Sequence, residues 1–416
     1  MSSENISMPR KESNEVYRVL RIRLRKLSKR EYLILERLTY HAKSVWNNAL
    51  YAYKNKLLFN AELSRQSKLY RYARETEAGR MLHSQCVQAI VQQLDRVLRK
   101  SSKVRYMPSD GHRTIIWKSQ SVKIKGGKLL LPLSRAFREY YEISDGYFAI
   151  QLPPGFAYDV AEVHVIPKHN ARWFEALIVY KVEDSPKVQT QTVMGIDLGI
   201  DNFATVAISD RTAVIIDGRK AKSINQGFNK ERAKLQSIYS KQGIKTGSKL
   251  VTLSRRRQNW MHNFLHQAAA YVIKLAKEHK AAIAVGYNKN WKQKANIGKR
   301  SNQNFVSLPH ERFVEILKHK AQLAGIEIKV VSEEYTSKAD ALAFETIEKK
   351  DQYLGKRKHR GLYISSTGVA INADVNAAIN ITRKIFGDEY WKSNPESYNG
   401  IGASGCLTQP LRIRVV

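Results

Sequence analysis

Cysteine is nearly absent from this sequence: Cys86 and Cys406 are the only two in 416 residues. Two thiols cannot build a disulfide framework or a four-cysteine zinc site. No run of about 18 apolar residues is available to span a bilayer, and the opening MSSENISMPRKESNE lacks an apolar signal core. The expected setting is therefore the cytosol, or the nucleus if the source is eukaryotic. Acid is scarce as well, with 37 Asp+Glu against 71 Lys+Arg and a formal net charge of +34. A surplus of that size favours a polyanionic partner, nucleic acid before a membrane surface. Apolar residues, in contrast, make up 43% of the chain, enough to fill the cores of a folded, multi-domain protein.

The first fifteen residues are polar and read as disordered. The stretch 16–24 (VYRVLRIRL) alternates apolar and basic residues, as a half-buried strand does. From Ser28, a candidate N-cap, Leu35, Leu38, Ala42, Val45, Ala49 and Tyr53 fall at helical spacing, which predicts a helix to about residue 57. The helical pattern continues to about 101 and ends in the amphipathic SQCVQAIVQQLDRVLRK. Between 103 and 183 short strands and turns take over, with Gly126–Gly127 as a hairpin turn. These segments predict an antiparallel β-barrel from 16–27 and 103–183 with a helical insertion at 28–102, followed by a linker at 184–191.

After the linker, MGIDLGIDNFATVAIS at 194–209 sets one carboxylate, Asp197, inside an apolar strand that runs into a glycine turn. A buried charge requires a partner, and Mg²⁺ is a suitable one. The strands FATVAIS and AVIIDG come next, and then Gly218 to Gln258 holds twelve Lys/Arg and one acid, Glu231. That is too one-sided for a surface of salt bridges, and Arg255, Arg256 and Arg257 within it are candidate nucleic-acid contacts. An amphipathic helix leads to a strand at 281–286. Beyond it, Lys289, Trp291, Lys292, Lys294, Lys299 and Arg300 combine charge with a ring suited to stacking on a base. A helix from Pro309 to about Ala324, a strand at 326–338 whose alternation buries Ile326, Ile328 and Val330, and a helix beginning near Ala373 complete the order. The resulting fold class is α+β, with an RNase H-like mixed sheet flanked by helices. In that architecture Asp197 meets carboxylates from neighbouring elements. Asp374 is the natural second one, because a helix N-terminus favours negative charge; taken alone it would be an ordinary helix-end acid. Two divalent ions held by such groups activate a water and stabilise the leaving oxygen of a phosphodiester.

Taken together, GIDLGIDNFATV, the strand–basic insertion–strand order, YTSK at 335–338 and NADVNAAINI at 372–381 resemble the TnpB family, transposon-encoded RNA-guided nucleases related to the type V CRISPR effectors. AKSVWNNAL at 42–50 and the SQCVQAIVQQLDR helix are similar to that family's helical recognition insert, and the strands around them to its wedge-type barrel. The resemblance implies a RuvC nuclease domain at 192–385 and a C-terminal tail at 386–416. It implies Asp197 and Asp374 as ligands of two Mg²⁺ ions. As partners it implies a guide RNA (ωRNA) and double-stranded target DNA opened into an R-loop, with one protein per guide, no membrane, and a prokaryotic cytoplasm in association with the nucleoid.

The chain departs from the family pattern twice. Members commonly end the second-motif strand with Glu; here that strand ends at Gly286, and no acid occurs from Ala281 to Leu308. A relocated acid is then expected, Glu333 before Glu334, with Glu311 or Glu315 as a third possibility; otherwise the site is inactive. Secondly, many relatives carry a four-cysteine zinc ribbon between YTSK and Asp374. This chain has no cysteine there, so no structural zinc is expected. Instead KRKHR and RGLYIS can form a basic hairpin, with Lys356, Arg357 and Arg360 as nucleic-acid contacts. The leading expectation is an RNA-guided endonuclease; the alternatives are a nuclease-inactive, RNA-guided repressor or transposition regulator, and a strand-transfer transposase. The tail, ending ASGCLTQPLRIRVV, is read as either disordered or wrapped around the guide.

Overall fold

The computed structural model describes residues 15–58, 62–101, 103–183, 185–244, 247–288, 308–359, 361–392 and 407–415. The readings of residues 1–14 as disordered and of Lys289, Trp291, Lys292, Lys294, Lys299, Arg300 and Arg360 as nucleic-acid contacts lie outside the described residues. The chain divides between Glu183 and Asp184 into two compact units.

In the first unit β1 (Glu15–Leu24) precedes four helices, α1 (Lys29–Lys54), α2 (Arg65–Glu75), α3 (Glu77–Met81) and α4 (Ser84–Lys100). Then come β2 (Ile115–Lys118), β3 (Lys123–Lys125), β4 (Lys128–Pro132), α5 (Arg135–Tyr140), β5 (Tyr147–Gln151), β6 (Val160–Lys168) and β7 (Trp173–Glu183). α1 begins after Ser28 because Ser28 and Glu31 form a reciprocal capping box, which satisfies two N–H groups that the helix leaves open. The strands form two antiparallel sheets, β1–β7–β6–β2 and β3–β4–β5. Leu35 and Val45 of α1, Ile90 of α4, Trp117 of β2, Leu131 of β4 and Phe174 of β7 belong to one buried core, so helices and both sheets are held by the same apolar contacts.

The second unit opens with β8 (Thr192–Leu198), β9 (Asn202–Ile208) and β10 (Ala213–Asp217). Two helices, α6 (Arg219–Lys241) and α7 (Ser248–Glu278), lead to β11 (Ala281–Gly286), and α8 (His310–Leu323) leads to β12 (Ile328–Val331). A small antiparallel sheet, β13 (Lys356–His359), β14 (Leu362–Ile364) and β15 (Ala370–Ile371), precedes α9 (Ala373–Phe386), α10 (Glu389–Lys392) and β16 (Leu411–Ile413). The main sheet runs β12–β11–β8–β9–β10–β16. β9 is antiparallel to β8 and β10, whereas the β8–β11, β11–β12 and β10–β16 pairs are parallel. The unit is thus α+β with a mixed sheet.

The two-residue period of a strand sends alternate side chains to opposite faces. On β8, Met194, Ile196 and Leu198 join a core with Phe264 and Leu265 of α7 and Phe313 and Leu317 of α8. Gly195 and Asp197 therefore face the opposite side, which α9 covers with Val375, Ala378 and Ile379.

Two expectations need correction. The strand predicted over 326–338 is confined to Ile328–Val331, and Val330 is 36% exposed instead of buried. β12 is an edge strand, and the chain turns after Val331 because its backbone finds other partners. The Lys384 ammonium donates to the carbonyls of Ser332 and Glu334, and the Thr336 hydroxyl to that of Glu333. The end of the tail, for which disorder is one expectation, is ordered: Leu411–Ile413 extends the main sheet beside β10. The alternation of RIRV supplies the reason, since Ile413 and Val415 pack on the core while Arg412 and Arg414, which alternate with them, are exposed.

Candidate active site on the helix-covered face of the sheet

Asp197 pairs across the β8–β9 ladder with Thr205. It can lie close to α9 because its neighbour on the same face is Gly195. A β-carbon there would overlap the Ala378 carbonyl oxygen, so only glycine lets the helix backbone settle against the strand. The same approach brings in Asp374. Asn372 caps α9 by accepting from the N–H groups of Asp374 and Val375, fixing Asp374 in the first turn.

Glu333 arrives from the turn after β12. Gly286 pairs with Val331, and a β-carbon on Gly286 would come within 2.8 Å of Glu333 Cγ and overlap Ile381 Cδ1. The Glu333 side chain thus passes through the space that a side chain at 286 would fill. Its backbone is anchored on both sides: its N–H donates to Asn288 Oδ1 at 3.1 Å, and its carbonyl accepts from Thr336 Oγ1 at 2.7 Å.

The electrostatics reflect this crowding. Asp197 keeps some solvent access, yet the protein packed around it strips most of its hydration. Desolvation first, and then the neighbouring Asp374 and Glu333 charges, push its carboxyl well above the usual carboxylate range, while Arg357 opposes them. Burial raises Glu333 to about 7. Arg357 Nη2 on β13 lies 3.6 Å from Asp374 Oδ1, and Asn202 Nδ2 donates to Asp374 Oδ2 at 2.6 Å. The buried Thr205 hydroxyl, opposite Asp197, finds no hydrogen-bond partner among the described residues. Among the described residues no three His, Cys, Asp or Glu side chains already close around a point as a metal cage. Asp197 with the Asp374 and Glu333 carboxyls that act on it, and the unsatisfied hydroxyl opposite, nevertheless form a set of hard oxygen donors that a divalent cation fits.

The remaining candidates are dispersed. Glu334 is exposed, as are Glu311 and Glu315 on α8; the latter two act electrostatically on Tyr287, as Glu333 does. Arg255 and Arg256 are exposed on α7. Arg257 is turned inward, where its Nε donates to Asn225 Oδ1 at 2.6 Å and its guanidinium lies 5.1 Å from the Phe228 ring centre, linking α7 to α6. Lys356 and Arg357 are exposed on the β13–β14 hairpin.

Sequence reasoning missed a second acidic constellation, in the segment that links YTSK to α9. Asp340 is wholly buried and accepts from the N–H groups of Leu342, Ala343 and Ser366 and from the hydroxyls of Ser365 and Ser366. Glu345 accepts from the N–H groups of Asp340 and Leu354 and pairs with Lys350. Asn376, Asn380 and Arg383 of α9 bond back to Ala339, Ala341, Thr336 and Glu345. The available signal was an Asp two residues before its own acceptor-seeking N–H, the Asx-turn pattern. Its long-range hydroxyl partners left no such mark.

Two family models match parts of the chain: one described as a probable transposase (OrfB_IS605) over residues 177–292, and the Cas12f1-like TNB domain over 310–381. A TnpB-like protein of Acidianus two-tailed virus is 27% identical over 211 residues, spanning 48% of this chain and 43% of that protein. A TnpB-like protein of Methanocaldococcus jannaschii is 26% identical over 222 residues, spanning 50% of this chain and 74% of that protein. The match thus spans less than half the length of the viral relative. In fold, the chain is similar to one solved by cryo-EM in a Cas12f1–sgRNA–target DNA complex, with a TM-score of 0.59, 14% identity, and coverage of 89% of this chain and 99% of that one. Beside the sheet order and the motifs on β8 and α9, these matches make the chain similar to TnpB-like proteins over about half its length.

Proposed function

We propose that this protein is an RNA-guided DNA endonuclease of the TnpB type, with Asp197, Glu333 and Asp374 as its catalytic carboxylates. The reading rests above all on the passage of the Glu333 side chain through the space left by Gly286, toward the two aspartates. In this reading the second unit is an RNase H-like (RuvC) nuclease domain over 192–385, and the first is a wedge-type barrel with a recognition insert that engages the guide RNA and the DNA beside the target.

Asp197, Glu333 and Asp374 would hold two Mg²⁺ ions, whose Lewis acidity would help to activate a water and stabilise the leaving oxygen of a phosphodiester. The chain's own groups do the rest. Arg357, exposed on its hairpin and paired with Asp374 at 3.6 Å, can exchange that carboxylate for a phosphate and neutralise backbone charge at the cleavage point. Arg255 and Arg256 on α7, with Lys356, add positive potential along the nucleic-acid path. The segment between YTSK and α9 requires no zinc in this reading, because Asp340 and Glu345 gather its backbone donors as a ribbon's metal would gather thiolates.

The test is Mg²⁺-dependent cleavage of a plasmid library by the protein purified with its co-expressed RNA. Cleavage beside a common short motif is expected, with Glu333→Gln reducing the rate about a hundredfold or more and Glu334→Gln leaving it intact. Guide-dependent retention of DNA without cutting rejects the nuclease in favour of a repressor. Equal rates in both variants reject Glu333 as the relocated acid.

A further inference from the structure

The two oxygens of Asp374 are not equivalent. Oδ2 accepts from Asn202 Nδ2 at 2.6 Å, and Asn202 Oδ1 in turn accepts from Arg412 Nη2 at 2.7 Å. A guanidinium can only donate, so Arg412 dictates which way the Asn202 amide faces: its oxygen toward Arg412, and hence its NH₂ toward Asp374. Without Arg412 the Asn202 oxygen loses its donor, and only the carboxylate itself holds the amide in that orientation. Oδ1, in contrast, has Arg357 at 3.6 Å, an ion-pair distance and not a hydrogen bond. One oxygen is thus tied down and the other is left facing charge.

Arg412 reaches Asn202 because β16 lies on the sheet edge in parallel register with β10, where Arg412 stands opposite Ile215. Ile413 and Val415 hold that strand to the core, and Arg412 Nη1 keeps a second, looser contact with Asp217 Oδ1 at 3.8 Å. We propose that the C-terminal strand is a working part of the active site, with Arg412 and Asn202 as positioning residues that orient Asp374 so that Oδ1 meets the divalent cation. This rests on the carboxylates being the nuclease site proposed above. It also assigns a role to the last residues of the chain that their sequence does not announce.

The experiment compares wild type, Arg412→Ala, Arg412→Lys and Asn202→Ala with Arg414→Ala, a neighbour on the same segment that pairs with Asp217 at 3.9 Å. Mn²⁺ binding to the full-length protein without target DNA is followed by electron paramagnetic resonance, and guided cleavage is resolved into kcat and KM. Loss of an outer hydrogen bond to a metal ligand weakens metal affinity or activity by about ten- to a hundredfold. Arg412→Ala and Asn202→Ala should weaken Mn²⁺ binding and lower kcat within that range, with KM for target DNA unchanged. Arg412→Lys should recover part of both, and Arg414→Ala should match wild type. Mn²⁺ affinity unchanged in Arg412→Ala, or weakened equally in Arg414→Ala, overturns the proposal. A wild type that binds Mn²⁺ in an Arg412-dependent way but never cuts rejects the nuclease reading and retains the positioning role. A wild type that binds no Mn²⁺ overturns both.

Discussion

Asp340 and Asp197 are carboxylates of the same unit, both crowded by protein, and their surroundings could hardly differ more. Asp340 gathers five donors, three backbone N–H groups and two hydroxyls. Asp197 has two other carboxyls for neighbours and, across the ladder, a hydroxyl with no partner among the described residues. Burial alone therefore says little about role. A buried acid whose lone pairs are filled is finished as a structural element, whereas one that raises its neighbours' energy retains a demand for cation that folding has not met.

Breaking each side of this comparison should give opposite results. The largest effect is expected for Asp197→Asn: guided cleavage should fall by at least about a hundredfold, while the metal-free protein melts at a higher temperature, because the change removes a carboxyl that desolvation and two neighbouring acids disfavour. Calorimetry in chelator checks the second half; a lower melting temperature would mean that the carboxyls do not repel as described. Next is Asp340→Ala, which orphans donors on two segments, 342–343 and 365–366, and should cost about 3 kcal/mol in chemical denaturation. Its loss of cleavage should follow the loss of folded protein and no more. The smallest effect is expected for Gly286→Ala. Its methyl must displace Glu333 Cγ and Ile381 at a cost of about 1–3 kcal/mol, with slower cleavage. Exchanging the two positions, Gly286→Glu with Glu333→Gly, should then recover cleavage relative to Gly286→Ala; a double variant no better than the single one would break the link between the two positions.

Much of the second unit is legible in the sequence because its signals are local. The apolar run around Asp197, the strand Ala281–Gly286 and the helix beginning near Ala373 each need only a few adjacent residues to be recognised, and each forms in the structure. The end of β12 is not legible, because Ser332 and Glu333 continue an extended pattern. What stops the strand is Lys384, some fifty positions away, taking the carbonyls of Ser332 and Glu334. Arg257 looks like a phosphate contact from its basic neighbourhood. Helical phase alone turns it toward Asn225 while Arg255 and Arg256 stay outside.

Sequence by itself determined the charge balance, the alternation that sends Asp197 to one face of a strand, the helix that opens at Asp374, and the lack of thiols for a zinc ribbon. Only the tertiary structure decided which acid joins the aspartates, because that choice depends on the space left by Gly286 on a different strand. It also decided that the last strand returns to the sheet edge and sends Arg412 to Asn202. The physical reason is the same in both cases. Period and propensity are properties of neighbours along the chain, whereas steric room and hydrogen-bond pairing belong to residues that meet only after the chain has folded.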